Sequence, residues 1–164
     1  MEIPRESDVK RYFLESAPDR NTGNEEITKI QKLTGDASIR NYFRVLTKDK
    51  SYVVSIGNPE LLKETNKDFL EIQEVLLENS VRVPKLYFSN LKLGLVVQED
   101  LGDRTYLFEL TDNKNSEQKL RMYKKAIDQM VLIQKIDVSA YPEKCFSKRF
   151  FDQEKLNFEI ELAH

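Results

Sequence analysis

One short stretch carries the residue types that hold phosphate. Leu33-Thr34-Gly35-Asp36-Ala37-Ser38 falls between two strand-like runs and joins a glycine to small and hydroxylated side chains. Small residues let a ligand approach the main chain, and successive N–H groups in such a turn form an anion-binding concavity, with the Ser38 hydroxyl as a further donor. Gly35, Asp36, Ala37 and Ser38 would serve equally well in an ordinary hairpin turn, so the motif needs a companion. Leu95-Val96-Val97-Gln98-Glu99-Asp100-Leu101-Gly102 supplies one: an apolar strand ending at a glycine where the sequence passes from strand-like to helical. A junction between a sheet lobe and a helical lobe makes a crevice, and such clefts hold ligands through exposed backbone donors and acceptors. A plain strand end followed by a turn is the alternative.

Several other chemistries find no residues to carry them. The sequence has no Gly-x-x-x-x-Gly-Lys-Ser/Thr phosphate loop, no Gly-x-Gly-x-x-Gly fingerprint, no Gly-x-Ser-x-Gly elbow and no His-Glu-x-x-His motif. His164, the sole histidine, is the last residue, a poor place to fix a base or a metal ligand. Cys145 is the sole cysteine, which leaves no intrachain disulfide or multi-cysteine zinc site and fits a reducing, cytoplasmic compartment. Adjacent carboxylates such as Glu99-Asp100 read first as solvated surface in a chain that is 33% charged. Lys plus Arg total 26 against 28 for Asp plus Glu, a net charge of −2 that gives no global attraction to nucleic acid or an anionic membrane. No apolar run approaches the ~20 residues of a membrane span, and the first six residues lack the apolar core of a secretory signal. The expected protein is globular and soluble, with neither nucleic-acid nor membrane partners.

The elements that must position these stretches follow from pattern. Val9, Tyr12 and Phe13 at i, i+3, i+4 predict an amphipathic helix over 7–16, and the Pro, Gly, Asn and Asp of 17–25 predict a linker. Strands are expected at 27–33, 41–46 and 52–56, the last two joined as a hairpin by a short polar spacer. Asn58-Pro59-Glu60 is a helix start, because Asn caps free amides, Pro suits the first turn and Glu complements the positive helix end. That helix should run to about residue 79, and strands should follow at 86–88 and 94–98. With connections this short, the sheet should be largely antiparallel with the helix on one face. After Gly102 the residues 106–110, 116–136 and 150–162 all read as helical, with Leu120, Tyr123, Ile127 and Met130 on one face of the middle helix. The predicted class is α+β in three parts: a helix and linker over 1–25, a nucleotide-binding lobe over 26–101 and a helical segment over 102–164.

Read together, Gly35-Asp36-Ala37-Ser38-Ile39-Arg40-Asn41-Tyr42-Phe43-Arg44, then Val83-Pro84, then Glu99-Asp100-Leu101-Gly102-Asp103-Arg104-Thr105-Tyr106 resemble the aminoglycoside phosphotransferase and choline kinase superfamily. Within it they look most like the bacterial branch that phosphorylates the anomeric hydroxyl of N-acetylmuramate and N-acetylglucosamine. The resemblance runs from about Glu26 to the end of the chain. It implies a protein-kinase-like N-lobe, about five antiparallel strands with one packed helix, followed by the first helices of a C-lobe. It implies ATP and magnesium as cofactors and a sugar hydroxyl as acceptor. Gly35, Asp36, Ala37 and Ser38 match the nucleotide-positioning loop. Gln98, Glu99, Asp100 and Leu101 match the hinge, whose backbone would hold the adenine edge while Val53 and Val97 pack near the ring.

Two departures qualify what is carried over. Protein kinases place on the third strand a Lys that pairs with the phosphates and with a helix Glu, and that position falls on Ser55. Arg40 and Arg44 are the expected substitutes, since a guanidinium offers a planar fork of donors suited to phosphate; both could also be surface arginines on a hairpin. Phe69 falls near the place of the helix Glu, with Asp68 and Glu71 beside it. Phosphoryl transfer in this fold also needs an Asp to orient the acceptor and Asn and Asp side chains to hold magnesium. No His-x-Asp loop of that kind is found, so no catalytic residue and no metal ligand is assigned, and the sequence reads as truncated before that loop. Large apolar residues crowd the last twenty positions, which predicts that this tail packs back on the 116–136 helix or associates with another copy. A non-enzymatic nucleotide-binding or protein-interaction module remains an alternative, as does a small α+β protein without a nucleotide.

Overall fold

The computed structural model describes residues 4–18, 26–33, 40–148 and 152–162. The proposed phosphate loop, residues 34–39, lies outside them, as do His164 and most of the 17–25 linker. The architecture is α+β, as the sequence pattern predicts. Helix α1 (Glu6–Ser16) precedes strands β1 (Ile27–Leu33), β2 (Asn41–Thr47) and β3 (Ser51–Ile56), then helix α2 (Pro59–Glu78). Strands β4 (Leu86–Asn90) and β5 (Leu95–Glu99) follow, then helices α3 (Tyr106–Asp112), α4 (Ser116–Gln134) and α5 (Gln153–Leu162). The five strands form one antiparallel sheet in the order β1-β2-β3-β5-β4.

Register assigns each strand residue to a face. Val53 stands opposite Arg44 and Gln98, Val54 opposite Phe43 and Val97, and Ser55 opposite Tyr42 and Val96. One face therefore carries Phe43, Val45, Tyr52, Val54, Ile56, Leu95 and Val97, which form the buried core together with Phe88 and with Val9 and Phe13 of α1. Phe13 is fully buried and meets Tyr52 and Phe88 edge-on at centroid distances of 5.2 and 5.3 Å. Full burial of an aromatic side chain is worth about 1.5–3 kcal/mol, so α1 belongs to the same core as the sheet. The second face carries Tyr42, Arg44, Val53, Ser55, Val96 and Gln98, and α2 is tied to it through Arg40 and Asn66.

The sequence signals for α2 act as expected. The Asn58 side chain accepts from the Glu60 N–H at 2.9 Å, and Pro59 occupies the first turn. The helix ends in a pair of reversed bonds, Ser80 N–H to the Leu77 carbonyl and Val81 N–H to that of Leu76, with Ser80 at φ +62°. Gly94 also has φ +62°, and a Cβ there would lie 2.4 Å from the Gly57 carbonyl oxygen. Only glycine allows the turn before β5 to approach the chain that starts α2.

Among the described residues, the apolar side chains of the tail are not buried on the middle helix. Leu120, Tyr123, Ile127 and Met130 share a face of α4 but are each more than half exposed, and Leu156, Phe158 and Ile160 of α5 are exposed as well. Two-residue spacing explains this: on a helix, positions two apart point to opposite sides, so the apolar residues of α5 make no continuous stripe. Among the described residues no helix is long and apolar enough to cross a membrane.

Candidate nucleotide site

A hollow of about 340 Å³ opens where β5 leaves the sheet, lined by Leu33, Arg44, Val53, Pro84 and residues 98–103. Four of the elements named from sequence meet here. Val53 of β3 forms an apolar wall, Gln98, Glu99, Asp100 and Leu101 form the rim, and Leu33 is the last residue of β1. The volume lies within the ~300–1,000 Å³ range of small-ligand pockets. A larger hollow of about 540 Å³ runs along α5, and the described residues that wall it are exposed ones of that helix and its entry.

Val97 does not reach this space. It is fully buried on the α1 face, across from Val54, while its neighbour Gln98 shares the Val53 face and lines the hollow. The expectation that Val97 packs near a bound ring is therefore corrected by one step of register, since adjacent strand residues point to opposite faces.

Arg44 lines the hollow and is already engaged there. Its expected partner was phosphate, yet its Nε and Nη2 donate to the two carboxylate oxygens of Asp100 at 2.6 and 2.9 Å, and its Nη1 donates to Asp103 at 2.9 Å. The Arg44 and Asp100 side chains are only 12% and 6% exposed. Asp100 also accepts from the Gly102 N–H at 2.9 Å and from the Ser51 hydroxyl. Burial pushes the Asp100 carboxyl up, but the bonds from Arg44, the Gly102 amide and Ser51 outweigh it and hold the group below its ordinary range. Arg44 is raised, first by its hydrogen bond with Asp100 and then by that with Asp103. The fork fits the carboxylate bidentately, so this knot fixes the rim of the hollow to β2 and β3. A second clasp holds the end of β5: the Glu99 N–H donates to the Lys85 carbonyl at 2.8 Å, and the Lys85 N–H donates to the Glu99 carboxylate at 3.0 Å. Gly102, at φ +81°, then turns the chain away from the sheet.

Arg40, just before β2, is half-buried against α2. Its Nε and Nη2 both donate to Asn66 Oδ1, at 3.2 and 3.1 Å. Asn66 is 1% exposed on α2, and sequence reasoning missed it. Of the residues expected near the helix-Glu position, Glu71 accepts from the Cys145 N–H at 3.0 Å and Phe69 is 38% exposed. Asn66 could have been found as the polar residue four positions after buried Leu62, where a helix repeats its inward face. Ser55, at the usual lysine position, is 7% exposed.

A profile of the phosphotransferase enzyme family matches residues 29–162, which span both the sheet and the helices after it. The chain belongs to that family. Curated relatives agree: an N-acetylmuramate/N-acetylglucosamine kinase of Pseudomonas aeruginosa is 32% identical over 106 residues, 65% of this chain and 30% of the relative. One of the same name from Neisseria meningitidis is 31% identical over 100 residues, 61% of this chain and 29% of the relative. The chain thus spans about 30% of the length of the curated relatives it matches.

A phosphotransferase of this kind implies ATP and magnesium, and the residues fit them unequally. The apolar Val53 wall and the polar rim suit the flat ring and polar edge of a purine. Among the described residues there is no group of three or more His, Cys, Asp or Glu that could hold a metal ion, and Asp100 and Asp103 at the rim are committed to Arg44. The described residues do not fit magnesium.

Proposed function

We propose that this chain forms the nucleotide-holding part of a kinase that transfers a phosphoryl group from ATP to a sugar hydroxyl, with an N-acetylated amino sugar as the acceptor class. One observation carries the reading: Val53, Leu33 and the Gln98 to Leu101 rim line a single hollow at the junction of sheet and helices. The purine lies between the Val53 wall and the rim, its edge held by main-chain groups beyond Glu99, where the β-ladder ends. The phosphates extend along β2 towards Arg40 and the loop Gly35, Asp36, Ala37 and Ser38, whose amides and Ser38 hydroxyl are suited to anions. Bound ATP supplies the phosphoryl group; the residues named here bind and orient. The acceptor class comes from the two kinases in Pseudomonas aeruginosa and Neisseria meningitidis, and a cytoplasmic setting follows from the supply of ATP.

Thermal denaturation of the chain with ATP tests the reading. At 100 times its dissociation constant a ligand stabilises the folded state by ~2.7 kcal/mol, and Val53→Trp, which fills the hollow, should abolish that gain. No shift in melting temperature at millimolar ATP refutes the assignment. A second reading, a nucleotide-binding module that docks another copy or a protein partner, is favoured by the exposed apolar side chains of α4 and α5. Sedimentation over a concentration series checks it, with a monomer at every concentration counting against self-association.

A further inference from the structure

Arg40 immediately precedes β2 and Arg44 lies within it, four residues further along the chain. Arg44 is bound at the rim by Asp100 and Asp103. Arg40 donates twice to one oxygen of a neutral side chain, Asn66 Oδ1. The other half of the same amide is the notable atom. Asn66 Nδ2 is buried and has no hydrogen-bond partner, and it is the one buried side-chain donor or acceptor among the described residues in that condition. Native interiors rarely leave a buried donor unmade, because its desolvation is not repaid. The amide cannot relieve itself by flipping, since the oxygen is needed to accept from Arg40. An acceptor brought from outside the chain would satisfy Nδ2, and the guanidinium beside it selects an anion.

We propose that Asn66 is a phosphate-recognition residue: its oxygen aims Arg40 and its orphaned amide donates to a phosphate oxygen of the bound nucleotide. This rests on the nucleotide reading above. Asn66 and Arg40 together take the place of the strand Lys and helix Glu of protein kinases, with the cation moved from β3 to the start of β2. A neutral helix partner orients the arginine without contributing a negative charge against the phosphates, which a Glu at that place would do. The donor is pre-organised by α2, so position and identity both matter.

The test compares ATP with adenosine, which shares the purine but lacks phosphate, by calorimetric titration of the full chain and of Asn66→Asp, Asn66→Leu and Arg40→Gln. Asn66→Asp keeps an acceptor for Arg40 but replaces the amide donor by a negative oxygen; Asn66→Leu removes both. Each variant should bind ATP about tenfold or more weakly, the size of one lost charge-assisted hydrogen bond, while adenosine affinity stays within about twofold. Asn66→Leu, which also removes the unsatisfied group, should fold even if Asn66→Asp does not. If the unaltered chain prefers ATP to adenosine and the Asn66 variants keep that preference, the inference is overturned and the nucleotide reading stands. Parallel weakening of both ligands marks a purely structural role and overturns it too. If the unaltered chain binds neither ligand, the nucleotide reading falls and the role of Asn66 falls with it.

Discussion

Replacing Asp100 by Leu should destabilise the fold far more than a typical loss of one surface charge. The carboxylate accepts two bonds from Arg44 and one each from the Gly102 amide and the Ser51 hydroxyl, in a setting where only 6% of its side chain meets water. Its loss leaves the nearly buried Arg44 guanidinium with Asp103, which is 79% exposed and holds the arginine from the solvent side. Breaking a buried pair by removing one partner costs about 3–5 kcal/mol, whereas replacing both by apolar residues is often neutral or stabilising. Because Asp103 remains, the lower end applies, about 3 kcal/mol. For a chain of this size that corresponds to roughly 6–12 °C in Tm. Urea and thermal unfolding of Asp100→Leu, Arg44→Met and the double variant form a double-mutant cycle. The double variant should recover most of the single variant's loss while binding adenosine more weakly, since the rim is no longer tied to β2. A loss under about 1 kcal/mol for Asp100→Leu, as for an exposed pair, would refute the reasoning. So would a double variant as unstable as the sum of the two singles.

Acid titration should show the same knot. Asp100 has a folded-state pKa below its unfolded value, so its contribution is present above the ordinary carboxylate pKa of about 3.9 and is lost as pH falls through the folded value; urea midpoints taken from pH 5 to pH 2 should fall more steeply for the unaltered chain than for Asp100→Asn. Gly94→Ala places a methyl 2.4 Å from the Gly57 carbonyl oxygen at φ +62°, where both the contact and the dihedral oppose it, and should cost about 1–3 kcal/mol in chemical denaturation. An unchanged midpoint would show that the turn before β5 yields easily.

The elements were legible because their signals are local. Asn58-Pro59 marks the start of α2, β-branched and aromatic runs mark β2 and β3, and Val9 and Phe13 mark the buried side of α1. The faces of β5 were not. Leu95, Val96 and Val97 are all buried, because the strand is covered on both sides, and an unbroken apolar run carries no alternation from which to tell which residue faces a ligand. Only pairing with β3 separates Val97 from Gln98. The partners of the arginines were hidden for a different reason. Arg44 and Asp100 lie 56 positions apart and Arg40 and Asn66 lie 26 apart, so each pairing depends on which strands neighbour each other and on how α2 is rotated. The sequence resemblance named the right family, while the carboxylate partners of Arg44 became visible only in the fold.

The knot at Asp100 also decides where the molecule bends. Everything up to Asp100 is clamped to the sheet, through Arg44 to β2 and through Ser51 to β3. Beyond it comes Gly102, at φ +81° with nothing within 4 Å of where a side chain would begin. The chain then crosses to α3, whose first turn is capped by the Thr105 hydroxyl. The 102–105 link is thus the loosest covalent path between sheet and helices, while Arg82 N–H to Gln129, Lys144 to Glu74 and Cys145 N–H to Glu71 tie the later segment back to α2 and its exit, so a swivel at that link has to break those bonds before the mouth of the hollow changes.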